Sequence, residues 1–235
     1  MINFGQREID FYSKNGYLII NNVISEEECD YFLNLCKKFS LNSGNKNLSE
    51  IPQVHREIPE TLQLMKNKNV VSIIETLLNG ESVGLQTVCS FKKANTPSGN
   101  MAWNPHQDGT YIEIDQDKYI SGDIALDNHK KNSGVLYVYP GSHKEQILDY
   151  IPNKSFGESI EKPGNKVKNI PTKYKPVELF LKKGSLLSFH SNVIHGSSIN
   201  TTKDDWRPLF LMAFMKKGAT YNPGKIAKRK AIELK

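Results

Sequence analysis

The chain has 235 residues, 38% of them hydrophobic and 24% charged, with a formal net charge of +6. That is enough apolar material for one sizeable core, so a single domain over 1–235 is expected, without internal repeats or low-complexity tracts. The longest apolar runs, 17–20 and 209–215, are far too short to span a bilayer, and the N-terminus lacks a basic-then-apolar leader, which predicts a soluble, unprocessed protein with no membrane partner.

The first 80 residues read as mainly helical. A short helix over 8–14 is closed by Gly16 and followed by a strand over 17–20. Ser25 with Glu28 forms a capping-box pattern, which starts a helix carrying Cys29, Phe32, Leu33, Cys36 and Phe39 inward. The polar stretch 41–50 reads as a loop, and 70–78 as a helix ending near Gly80. From 81 to 217 the period changes to alternation. Strands are expected over 83–92, 119–126, 134–138, 177–181, 185–189 and 207–215, separated by Gly, Pro, Asn and Asp turns. Strands without helices regularly between them predict a mainly β fold with flanking helices, an antiparallel two-sheet roll. The segment 152–176, rich in Lys, Asn, Gly and Pro, is too long for a tight turn and is expected to be a mobile lid or an ordered insertion. Residues 218–235 form a basic tail containing Lys228-Arg229-Lys230.

Cys29, Cys36 and Cys89 have neither metal-binding nor redox spacing, and the odd count argues against a disulfide framework, which places the protein in a reducing cytoplasm. The excess positive charge falls in short pairs without interleaved aromatic residues. It therefore predicts solubility and steering of an anionic small-molecule substrate, and no nucleic-acid partner.

The chemistry concentrates in His106-Gln107-Asp108, a distant His195, and Arg207 shortly after it. Side chains at i and i+2 of a strand leave the same face, so His106 and Asp108 can converge on one metal while Gln107 points elsewhere. Two imidazoles and one carboxylate leave coordination positions open, the arrangement of non-haem iron(II) oxygenases and not of closed structural zinc sites. A His-x-Asp tripeptide alone carries little weight. The distal histidine before Gly-Ser, with an arginine beyond it, is what gives the set meaning. Ser197, two residues after His195, shares its strand face, and a guanidinium at Arg207 can grip a carboxylate with two parallel hydrogen bonds. His190 and His143 read as structural residues, and His129 and His55 as members of polar loops.

Trp103 to Asp108, Ile124-Ala125-Leu126-Asp127, Asn132-Ser133-Gly134, Pro140-Gly141-Ser142-His143, Lys183-Gly184-Ser185, His195-Gly196-Ser197 and Arg207-Pro208-Leu209 together resemble the phytanoyl-CoA dioxygenase family in order and spacing. The likeness runs from about Tyr17 to Met215. It implies a double-stranded β-helix (jelly roll, cupin-like) and Fe(2+) held by His106, Asp108 and His195, with 2-oxoglutarate and O2 as co-substrates. It further implies an oxo-acid site of Arg207, Ser197, Gln107 and a lysine, Lys92 or Lys93, of which Lys93 is carried. The activity implied is hydroxylation of an unactivated C–H bond of a small polar or anionic metabolite, releasing succinate and CO2. Asp123 departs from the pattern, standing where an aromatic residue is frequent, and is a candidate substrate contact together with Trp103 and Tyr111. The alternatives are a non-catalytic metal- or carbohydrate-binding jelly roll, which has no use for Arg207 and Ser197, and a halogenase, which needs the position of Asp108 vacant.

Overall fold

The structure, a computed structural model, describes residues 2–44, 50–152, 165–225 and 227–235. In chain order its elements are α1 (Gln6–Asn15), β1 (Tyr17–Ile20), α2 (Glu26–Asn42), β2 (Ile51–Pro52), α3 (Val54–Glu57), α4 (Leu62–Met65) and α5 (Lys68–Leu78), then β3 (Ser82–Ser90), β4 (Trp103–His106), α6 (Gly109–Ile112), β5 (Tyr119–Ala125) and β6 (Leu136–Val138). They continue with β7 (Tyr150–Ile151), β8 (Lys166–Val167), β9 (Val177–Leu179), β10 (Leu186–His190), β11 (His195–Ser197) and β12 (Leu209–Lys216).

Two antiparallel sheets form the roll. The larger runs β1-β10-β5-β12-β3-β2 and the smaller β4-β11-β6-β9. Alternation along the strands sends residues to opposite faces. One face of the large sheet, with Ile120, Ile124, Phe210, Met212 and Phe214, packs with α2 and α5 into the main core through Cys29, Phe32, Leu33, Val70, Ile73 and Ile74. The other face, with Ala125, Leu187, Phe189 and Leu209, meets Leu136, Val138 and Leu179 of the small sheet. The predicted antiparallel roll is the fold observed.

The capping box at Ser25 forms as expected, with Glu28 N donating to Ser25 Oγ and Ser25 N to the Glu28 carboxylate. Such a cap contributes about 1 kcal/mol. The helix it starts turns Cys29, Phe32, Leu33 and Cys36 into the core, while Phe39 is only partly buried. That helix extends to Asn42, into the stretch read as a loop, and residues 45–49 of that stretch lie outside the described residues. The elements absent from the sequence reading, including α3, α4 and β2, are two to four residues long. At that length neither period repeats.

Three differences bear on function. β3 ends at Ser90 instead of 92, because Lys92 takes a left-handed backbone conformation with φ 43 and breaks the alternation. Of the 152–176 segment, 153–164 lie outside the described residues, and the part from 165 onward includes β8, paired with β7. The basic tail is not a solvated extension: Ile232 and Gly84 exchange two backbone hydrogen bonds of 2.8 and 2.9 Å, and Leu234 is buried. Among the described residues no helix is long and apolar enough to cross a membrane.

Candidate metal centre

β4 and β11 run side by side with His195 directly opposite His106, which brings the two rings to 4.4 Å between centroids. The close pairing needs Gly196, where a Cβ would lie 2.7 Å from the Trp103 carbonyl oxygen and 2.5 Å from the Tyr137 hydroxyl. Asp108 arrives differently from expectation. The strand stops at His106, and Asp108 has helical backbone angles (φ −61, ψ −30) at the turn that opens α6. Its carboxylate converges all the same, with Oδ1 at 3.5 Å from His106 Nε2 and 3.6 Å from His195 Nε2. One ligand atom from each of the three side chains lies within 4.8 Å of the others.

The second nitrogen of each imidazole is engaged by backbone. His106 Nδ1 donates to Asn104 O at 2.7 Å and His195 Nδ1 to Val193 O at 3.1 Å, since a carbonyl can only accept. This fixes the tautomer that leaves each Nε2 with a free lone pair directed at Asp108. Phe189 stacks on His195 at 4.4 Å and sets its tilt. Burial brings His195 down to about 4 against the opposing pull of Asp108, so the imidazole is neutral at physiological pH. Burial alone would raise Asp108, but His195 and His106, when protonated, pull it below its usual value. Two imidazoles and a carboxylate converging from one side are the donor set an iron(II) site requires, and the residues fit the ion.

Behind the triad lies a buried cationic end. Lys92, 2% exposed, donates from Nζ to Ser197 Oγ at 3.0 Å and to Met101 O at 2.7 Å. Arg207, 3% exposed, is held by Nε donation to Gly134 O at 3.0 Å. Burial and the neighbouring Arg207 lower Lys92 to about 7, and burial lowers Arg207 to about 10, which leaves the guanidinium charged at neutral pH. Lys93, the lysine carried from the sequence, is exposed and does not join this end. The left-handed residue at 92 is the reason: beyond Ser90 the strand alternation no longer says which lysine faces inward. Gln107 also departs from expectation. Its amide is spent on the protein, with Nε2 donating to Asn192 O at 2.8 Å and Oε1 accepting from Leu148 N at 2.9 Å, so it ties loops together and offers nothing to a co-substrate.

Of the candidate substrate contacts, Trp103 and Tyr111 flank His106 with ring centroids at 5.9 and 5.8 Å. The Tyr111 hydroxyl accepts from Asn165 N at 2.6 Å. Asp123 lies on the inner face of β5, buried, with Oδ1 accepting from Met212 N at 3.3 Å. Burial and the charge of Asp108 raise its carboxyl well above the usual range, towards the protonated form. Sequence reasoning missed three residues here. Glu50, at the end of the stretch read as a loop, is held up by burial and drawn down by Ser90, Lys92 and Arg207, and so adds a carboxyl beside the cationic end. His129 is buried behind Arg207, with Nε2 at 3.4 Å from Pro208 O, and is not a residue of a solvated loop. Arg229, from the tail, donates from Nε to Gln86 Oε1 at 2.7 Å. The apolar residues Ile232 and Leu234, two apart, were the one signal that this tail packs.

A two-histidine, one-carboxylate cluster set in a two-sheet roll, with buried cations beside it, is a donor set suited to iron(II). The family model for phytanoyl-CoA dioxygenase (PhyH) matches residues 12–209, and the chain belongs to that family. A probable phytanoyl-CoA dioxygenase of Caenorhabditis elegans is 23% identical over 219 residues, covering 82% of this chain and 70% of the worm protein. The peroxisomal phytanoyl-CoA dioxygenase of Homo sapiens is 22% identical, and this chain spans 63% of its length. The epimerase SnoN from nogalamycin biosynthesis, solved with Fe3+, alpha ketoglutarate and nogalamycin RO, superposes with a TM-score of 0.75 at 18% identity, over 94% of this chain and 87% of SnoN.

Proposed function

We propose that this protein hydroxylates an unactivated C–H bond of a small polar or anionic metabolite. The observation that carries the proposal is the convergence of the triad, with buried Lys92 bonded to Ser197 near it and Trp103 and Tyr111 flanking His106. Iron(II), 2-oxoglutarate and dioxygen supply the oxidising chemistry, in which the oxo-acid leaves as succinate and carbon dioxide and one oxygen atom enters the substrate. His106, Asp108 and His195 hold the metal. Arg207, Lys92 and the Ser197 hydroxyl receive the distal carboxylate of the oxo-acid through charge-assisted hydrogen bonds, which orients its reactive end towards the triad. Leu136, Val138, Phe189 and Leu209 close the space between the sheets and exclude water. Trp103 and Tyr111 form the wall against which the substrate rests.

Asp108 speaks against a halogenase, because it fills the position a halide would need. The whole chain works as one catalytic unit in this reading, its three cysteines free and buried, in keeping with a reducing cytoplasm. The test is succinate formation from 2-oxoglutarate against a panel of polar metabolites. At least one is expected to stimulate turnover in the wild type and none in Asp108→Ala. Equal succinate release by the two proteins would overturn the assignment.

A further inference from the structure

Besides Lys92 and Arg207, a third cation, Arg229, lies within electrostatic reach of Asp108. Arg229 lies in the C-terminal segment, which is fastened down by the Ile232–Gly84 hydrogen bonds, by Gln53 Nε2 donating to Ala227 O at 3.1 Å and by Arg56 Nη2 donating to Lys228 O at 2.7 Å. Its Nε donates to Gln86 Oε1. Gln86 lies opposite Ala213 of β12, and Ala213 opposite Ser121 of β5. Ser121 is two residues from Asp123, so this row belongs to the inner face of the sheet, the face that carries Asp123. Asp108 and Tyr119 both feel the charge of Arg229.

No carboxylate forms an ion pair with Arg229 among the described residues. Asp108 belongs to the metal, and Asp123 is bonded to Met212 N and driven towards its neutral form. A half-buried guanidinium offset only at a distance by Asp108, with no direct ion pair, gains from a ligand that supplies a counter-charge. In the reading above neither carboxylate of the oxo-acid supplies it, since the distal one would go to Lys92 and Arg207 and the one beside the keto carbon to the metal.

Building on the oxygenase reading, we propose that Arg229 is the specificity residue for the primary substrate, gripping a carboxylate group of that molecule so that its C–H bond is presented to the triad. With Nε fixed on Gln86, the terminal nitrogens are left to bind the carboxylate, and the molecule is held at one end by charge and along its body by Trp103 and Tyr111.

The experiment uses the full chain loaded with zinc as a redox-inert ion and saturating 2-oxoglutarate. Carboxylates of four to eight carbons and their primary amides are titrated calorimetrically into wild type, Arg229→Gln and Arg229→Lys. At least one carboxylate is expected to bind the wild type about tenfold to a hundredfold tighter than its amide. That preference should vanish in Arg229→Gln and return in part in Arg229→Lys, with 2-oxoglutarate affinity unchanged in all three. The proposal is overturned if no carboxylate outbinds its amide in the wild type, or if the preference survives in Arg229→Gln. Failure of the zinc-loaded wild type to bind 2-oxoglutarate would instead strike the oxygenase reading itself.

Discussion

The two ends of the site are built in contrasting ways. At the inner end Lys92, Ser197 and Arg207 are at most 3% exposed, each held by a hydrogen bond to the protein. At the mouth Trp103, Tyr111 and Arg229 are half-buried and come from a short strand, a four-residue helix and the C-terminal segment. An end proposed to receive the same oxo-acid in every turnover would gain from enclosure, since a dehydrated cation binds a carboxylate more strongly. The mouth must admit and release a substrate, and it is assembled from segments that can vary without disturbing the roll.

The contrast can be tested from its centre outward. Asp108→Ala removes the ligand common to both ends, and succinate formation should fall at least about a thousandfold with the melting temperature within a few degrees of wild type. Arg207→Ala should raise the 2-oxoglutarate requirement by about 30- to 100-fold in steady-state assays, the worth of a charge-assisted pair, while leaving mouth-dependent substrate preference intact. Gly196→Ala must push β11 away from β4, and a displacement near 1 Å should lower turnover by about a hundredfold and reduce stability, read by thermal melting.

A pH effect distinguishes the inner end more finely. Lys92 sits at about 7 because it is buried and faces Arg207. Below pH 7 its ammonium is already charged when the oxo-acid arrives. Above pH 7 binding must recruit a proton, so 2-oxoglutarate affinity should weaken as pH rises, by up to about tenfold per unit. Calorimetry in buffers of different ionisation heat should detect the proton uptake, and Lys92→Met should remove it. The smallest effect belongs to Lys93→Ala, which should leave 2-oxoglutarate affinity unchanged and stability within about 0.5 kcal/mol.

Legibility in the sequence divides along the same line. The convergence of His106, Asp108 and His195 was legible in their identities and order, even though Asp108 reaches the cluster from a helical turn and not along a strand. The central strands β3, β5, β10 and β12 were legible because alternation persists over five to nine residues. Lys92 was not separable from Lys93, because one left-handed residue ends the alternation where the choice has to be made. Gln107 was misjudged because neighbours in sequence need not share a role, and its amide joins Asn192 and Leu148, partners far along the chain. Arg229 was hidden in what reads as a solvated charge run, since one half-buried arginine among lysines leaves no periodic trace.

The most direct test of the metal centre and its inner end is an anaerobic titration of 2-oxoglutarate into iron(II)-loaded protein, followed in the visible region. A weak charge-transfer band that saturates in the wild type and is absent from Asp108→Ala is the result this account predicts. A wild-type protein that binds iron(II) but develops no band on addition of 2-oxoglutarate would contradict it.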